Sequence, residues 1–160
     1  MHFFQKPSLF LFLVLVAFLV VFTVECKKEA KKTNTLDISF NSPMNCDTIY
    51  TGDFLKFEAI FSSTKPLNAY SIEIHNDFDQ HIHQGTDLNC KQSAKKNSFN
   101  PFIYLQLFDI PPFTLDYQAS DMINIPESID TGDYHLFIRL NNVEGYRTNS
   151  NISIKILHKP

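Results

Sequence analysis

The chain has 160 residues, a formal net charge of −3, 16 phenylalanines and no tryptophan. That length supports one domain with its own core, and the slight negative charge excludes the basic footprint of a nucleic-acid binder. Common enzyme signatures are missing: there is no Gly-x-Ser-x-Gly elbow, no phosphate loop and no His-Glu-x-x-His, so the expectation is a protein that is not an enzyme.

Leu9 to Phe22 are uninterrupted apolar residues behind Lys6. The run is shorter than the roughly 20 residues that span a bilayer, and it suits the apolar region of a signal peptide. Cys26 follows it, and Cys26-Lys27-Lys28-Glu29 resembles the start of many lipoproteins of Bacteroidetes type. On that resemblance residues 1–25 are a lipoprotein signal peptide and Cys26 is the lipidated anchor. Glu25 stands where such signals have Gly, Ala or Ser. Four lysines, at 27, 28, 31 and 32, follow the apolar run, so an uncleaved anchor stays open as the alternative. Residues 26–35 have no apolar face and read as a flexible tether, leaving 36–160 as the folded domain.

Strand-like alternation then recurs along the chain. Leu36–Phe40 is a first short strand, and 41–52, with Pro43, Asn45 and Gly52, a turn region. Phe54–Phe61 alternates Leu55, Phe57, Ala59 and Phe61 against Lys56 and Glu58. Asn68–His75 sets Tyr70, Ile72 and Ile74 against Ser71, Glu73 and His75. Gln84–Asn100 is a long polar loop. Phe102–Phe108, Tyr117–Ile125, Asp133–Leu140 and 151–157 supply four more strands, and Asn141–Asn149 a hairpin loop. No helical period is found after residue 36. About seven short strands separated by turns imply an all-β, immunoglobulin-like antiparallel β-sandwich. Gly132-Asp133-Tyr134 leading into an apolar strand supports it, because it looks like the tyrosine corner of such folds.

In that arrangement the strand ending at His75 lies antiparallel to the strand beginning near His135. Both histidines should sit opposite core residues Ile74 and Tyr134, on one outer face. The segment after His75 adds His81 and His83, which share one side if extended. Asp77 and Asp79 lie between His75 and His81, and Asp133 lies two residues before His135. Histidine nitrogen with carboxylate oxygen is the ligand chemistry of zinc, copper or nickel. Exposed histidines and turn-forming aspartates also occur with no metal at all. Calcium fits less well, since Ile82 occupies the glycine position of an EF-hand loop. Cys46 and Cys90 fall at the same end of the sandwich and can form a disulfide in an exported protein.

Ile74-His75-Asn76-Asp77-Phe78-Asp79-Gln80-His81-Ile82-His83, with Ile125-Pro126 and Gly132-Asp133-Tyr134-His135 further on, resembles a family of Bacteroidetes lipoproteins of unknown function. The resemblance implies an immunoglobulin-like fold and a place in the bacterial cell envelope, periplasm-facing or at the surface. It implies no activity. The family's Asp-x-x-Gly-Asn turn is replaced here by Asn142-Val143-Glu144-Gly145-Tyr146. Two functions are expected from these features. One is a membrane-tethered module that binds zinc, copper or nickel through His75, His81, His83 and His135. The other is a structural or adhesion-type module that binds a protein or glycan without metal, using an outward Phe137 beside Arg139.

Overall fold

In a computed structural model, which describes residues 34–81 and 90–160, the alternating segments become strands and no helix occurs among the described residues. The strands are β1 (Leu36–Ser42), β2 (Thr48–Tyr50), β3 (Phe54–Ser63), β4 (Leu67–Asn76), β5 (Tyr104–Asp109), β6 (Asp116–Asn124), β7 (Gly132–Asn142) and β8 (Arg147–Leu157). They form a three-stranded sheet of order β1-β3-β6 and a five-stranded sheet of order β2-β8-β7-β4-β5. Two sheets that each bury one face make a β-sandwich, as the alternation predicts. The apolar segment 9–22, residues 1–25 as a signal peptide, Cys26 with most of the tether, and His83 lie outside the described residues.

Each sheet gives one apolar face to the core. Phe57, Phe61, Ile72, Ile74, Leu136 and Ile138 are among its fully buried side chains. Phe61 of one sheet tilts against Tyr70 of the other with ring centroids 4.9 Å apart, and Tyr117 joins the same cluster. Burying side chains of this size stabilises a fold by about 1.5–3 kcal/mol each.

Two features differ from the sequence expectation. The turn region 41–52 contains β2, which lies parallel to the end of β8, Thr48 opposite Lys155. Three residues are too few to show alternation. The hairpin loop is also shorter than expected, because β7 runs to Asn142 and β8 starts at Arg147. The polar residues assigned to the loop continue the ladder through backbone bonds, with Asn141 opposite Arg147. The segment around residues 102–108 pairs antiparallel with β4.

The start of β7 is fixed by Tyr134. Its hydroxyl donates to the Asp130 carbonyl and accepts from the Phe102 N–H at 3.1 Å. Burial pushes this phenol's pKa up. Gly132, just before it, has φ +137, and a Cβ there would stand 2.9 Å from Cε1 of Phe78. Replacing Gly132 with Ala therefore meets both backbone strain and a packed ring, and a loss of about 1–3 kcal/mol is expected. Gly145→Ala shares the positive φ but has open space around it. Thermal unfolding of the two variants should show the larger drop in midpoint for Gly132→Ala; equal drops would mean that contact with Phe78 contributes nothing.

Candidate metal centre

β4 and β7 are antiparallel neighbours in a register that sets His75 directly opposite His135. Side chains alternate faces, so both rings project away from the face that carries the buried Ile74 and Tyr134. That face is covered at this end. His135 is 1% exposed, and Phe137, expected to be an outward anchor, is 5% exposed. Phe137 stacks on His75 at a centroid distance of 5.3 Å and meets His135 edge-on at 6.0 Å. The partner-anchor role drawn from the sequence fails for this residue, because its ring floors the histidine cluster.

His81 does not continue outward along an extended segment. The Gln80 N–H bonds to the Asp77 carbonyl at 3.2 Å, and Gln80 takes φ +58, so the chain turns back at once after β4. Phe78 is buried in this turn, edge-on to Tyr134 and beneath the Lys96 ammonium. The turn stacks His81 on His75, with centroids 5.5 Å apart and planes 16° from parallel. His135 stands nearly perpendicular to both, 5.9 Å from His75 and 5.5 Å from His81.

Carboxylates surround the rings. Asp77, itself buried, approaches Nε2 of His135 with Oδ2 at 3.3 Å and Nδ1 of His81 with Oδ1 at 3.4 Å. Asp77, His81 and His135 each offer a ligand atom within 4.8 Å of the others, a set that can hold a metal ion. His75 adjoins the set through Nε2, which lies 3.4 Å from Nε2 of His81. Two further carboxylates meet the Nδ1 atoms of His81 and His75. Asp79 Oδ1 is 2.5 Å from Nδ1 of His81, and Glu73 Oε1 is 3.2 Å from Nδ1 of His75. The His81 ring N–H, bonded to Asp79, holds that carboxyl below the usual carboxylate range. Glu73 also pairs with Arg139.

When Nδ1–H of each ring faces a carboxylate, Nε2 is left with its lone pair. The two Nε2 atoms lie 3.4 Å apart, and two lone pairs at that distance repel unless a proton or a metal cation lies between. Two nitrogens bound to one tetrahedral ion by bonds of about 2.0–2.1 Å stand about 3.4 Å apart. Carboxylates behind ligating imidazoles are the usual outer partners of such ions.

Of the residues singled out in the sequence, His75, His81, His135 and Asp77 converge, and Asp79 lies behind His81. Asp133 makes its contacts elsewhere: it accepts from the Ser93 N–H at 2.5 Å and pairs with Lys155 at 3.2 Å. Glu73 was not singled out, although its position two residues before His75 on the same strand face was a usable signal. His75 and His81 line a surface hollow of about 420 Å³ with Lys96 and Asn97, which opens the cluster to solvent.

Cys46 and Cys90 are bonded to one another. The bridge delivers the chain to residues 90–100, which lie over this end of the sandwich. Ser93 O accepts from the Gln80 amide at 2.9 Å, the Lys96 N–H bonds to Phe78 O at 3.0 Å, and Lys155 reaches the Lys91 carbonyl. Asp130 accepts from the Phe99 and Asn100 N–H groups, and these hold its carboxyl low.

Residues 24–157 match the family described as "Domain of unknown function (DUF4625)", and the chain belongs to that family. No curated protein matches it. Among solved structures it is similar to a family 123 glycoside hydrolase from Clostridium perfringens, at 17% identity and a TM-score of 0.46, over 78% of this chain and 28% of that one. It is also similar to Spo0M, a sporulation control protein from Bacillus subtilis, at 12% identity and a TM-score of 0.41, over 79% of this chain and 50% of that one. The chain thus spans half or less of the length of either structure.

Replacing Cys46 and Cys90 together by Ala should lower stability by about 2–4 kcal/mol. It should also speed hydrogen exchange at the amides of Ser93 and Lys96, which the bridge helps to hold over Asp133 and Phe78. Unchanged exchange at these amides would mean that the bridge does not order the covering segment.

Proposed function

From membership of a family that carries no assigned function, we propose that this chain is a metal-binding module of the bacterial cell envelope, with zinc or copper as its ion. Nickel is the third candidate that suits imidazole ligands. His75, His81 and His135 supply nitrogen, and Asp77 supplies oxygen. Asp79 and Glu73 orient the rings. The observation that carries this reading is the facing pair of Nε2 atoms, 3.4 Å apart with carboxylates behind both rings. A cation relieves the repulsion between them, and Asp77 stands within reach of the same group of side chains. The apolar run before Cys26 supports a lipid anchor at that cysteine, which places the module outside the cytoplasm as a lipoprotein. The role proposed is binding.

The test is metal content of the protein purified without a polyhistidine tag, after reconstitution with zinc or copper. Near-stoichiometric metal is expected, together with a rise in unfolding temperature on adding the ion. His81→Ala and His75→Ala should lose the ion, and Asp79→Ala should weaken it about 10–100-fold through the lost ring orientation. Protons compete for the same nitrogens, so the ion should bind more weakly as pH is lowered. If the Nε2 pair shares only a proton, added ions will leave both metal content and unfolding temperature unchanged, and the metal reading falls.

A further inference from the structure

β5 closes one side of the five-stranded sheet, and among the described residues its outer edge has no strand partner. Edges of this kind invite further strands, and proteins usually blunt them with lysine, proline, a bulge or a covering loop. Tyr104-Leu105-Gln106-Leu107-Phe108 has no charge and no proline, and its register with β4 runs without a shift. On its outer face Leu105 and Leu107 are 67% and 65% exposed, and Ile103 just before the strand is 70% exposed. On its other face Phe108 stacks on Tyr70 at 4.8 Å, and the Tyr104 hydroxyl donates to the Asp121 carboxylate at 3.0 Å. These inner contacts hold the strand in the sheet, and among the described residues no strand pairs with its outer edge.

The segment is close to symmetric about Gln106: Leu flanks it on both sides, then Tyr on one and Phe on the other. An antiparallel strand laid on the edge by a two-fold axis through Gln106 puts Leu105 opposite the partner's Leu107. Tyr104 falls opposite the partner's Phe108, and Gln106 opposite itself. Asp109 falls opposite the partner's Ile103, so no acid meets an acid. Further in, Glu73 on β4 pairs with Arg139 on β7. With near-symmetry about Gln106, two-fold self-pairing sets apolar side chains opposite apolar ones and leaves no like charges opposed. We propose that β5 pairs with β5 of a second copy of this chain, joining two five-stranded sheets into one continuous sheet with a merged leucine cluster on its outer face.

Directly opposed residues in an antiparallel pair have Cα atoms about 4.5–5.5 Å apart, within the roughly 4.4–6.8 Å that a disulfide bridges. The full chain in mild detergent, carrying Gln106→Cys, should therefore give most of its mass as a reducible dimer on gentle oxidation. Neither the chain unsubstituted at 106 nor a Gln118→Cys control, on the exposed edge strand β6, should match that yield. Adding Leu105→Lys and Leu107→Lys to Gln106→Cys sets lysine opposite lysine and should abolish the dimer. Because both leucines are exposed, the lysine pair should leave circular dichroism and the unfolding midpoint almost unchanged, which separates lost pairing from lost folding. The proposal is overturned if Gln106→Cys yields no more dimer than the controls, or if the two lysines leave its dimer intact. Sedimentation of the unsubstituted chain gives an independent reading: dimer mass that falls to monomer mass with the lysine pair is expected, and monomer mass from the outset overturns it.

Discussion

The register between β4 and β7 is the constraint on which the other features depend. It pairs Ile72 with Ile138, Ile74 with Leu136 and His75 with His135. Because faces alternate with period two, this single choice sends the isoleucines into the core and both histidines to the opposite face. A slip of one residue would reverse every one of these positions and bury imidazole in place of isoleucine. The apolar pairs therefore specify the register, and the histidine pair comes with it. Core energetics that act on Ile74 also position His75.

A second level of structure sits on that pair. Phe78 packs on Tyr134 only because Gly132 has no side chain, and this contact anchors the turn that carries Asp77 and His81 back over β4. Residues 90–100 close over the turn through Ser93 and Lys96, and the Cys46–Cys90 bridge delivers them there. The result is a ring stack of Phe137, His75 and His81 at spacings of 5.3 and 5.5 Å, with His135 standing across it. Flat aromatic packing fixes where each ring lies, and the carboxylates of Glu73 and Asp79 fix how each ring is turned. Position and orientation thus come from different interactions, which is how a polar cluster is kept in one geometry at the margin of an apolar core.

Much of this was written in the chain. Apolar alternation marks β3, β4 and β7 plainly, and the antiparallel sandwich that follows puts His75 beside His135 before any coordinate is seen. The remainder depends on information that alternation does not hold. β2 is three residues long and takes its position from β8. The return of His81 rests on a left-handed backbone at Gln80, a residue with no special preference for it, so the sequence suggests an extended run instead. Phe137 reads as an exposed aromatic because alternation reports which face a residue takes, and says nothing about what covers that face. Glu73 reads as a solvated outward carboxylate for the same reason, and only its place two residues before His75 on the same face hints at the ring it meets.

The two unusual regions of the five-stranded sheet, the histidine cluster and the open β5 edge, lie on adjacent strands, so pairing of two chains through β5 bears on the metal site. Strands stand about 4.8 Å apart, and four strands, β4-β5 and their counterparts, place the two β4 strands about 14 Å apart sideways. Along the strands, Ile74 lies opposite Tyr104, two residues from the axis at Gln106, and His75 lies one residue further out. Twice three residues at about 3.4 Å is about 20 Å of offset. The two clusters would then be about 25 Å apart, far beyond the reach of one ion. Each chain must complete its own site from its own residues, and the ligand set available within one chain is the one formed by His75, His81, His135 and Asp77. Dimerisation through β5 and metal binding are therefore separable properties of the same sheet, coupled only through the backbone of β4.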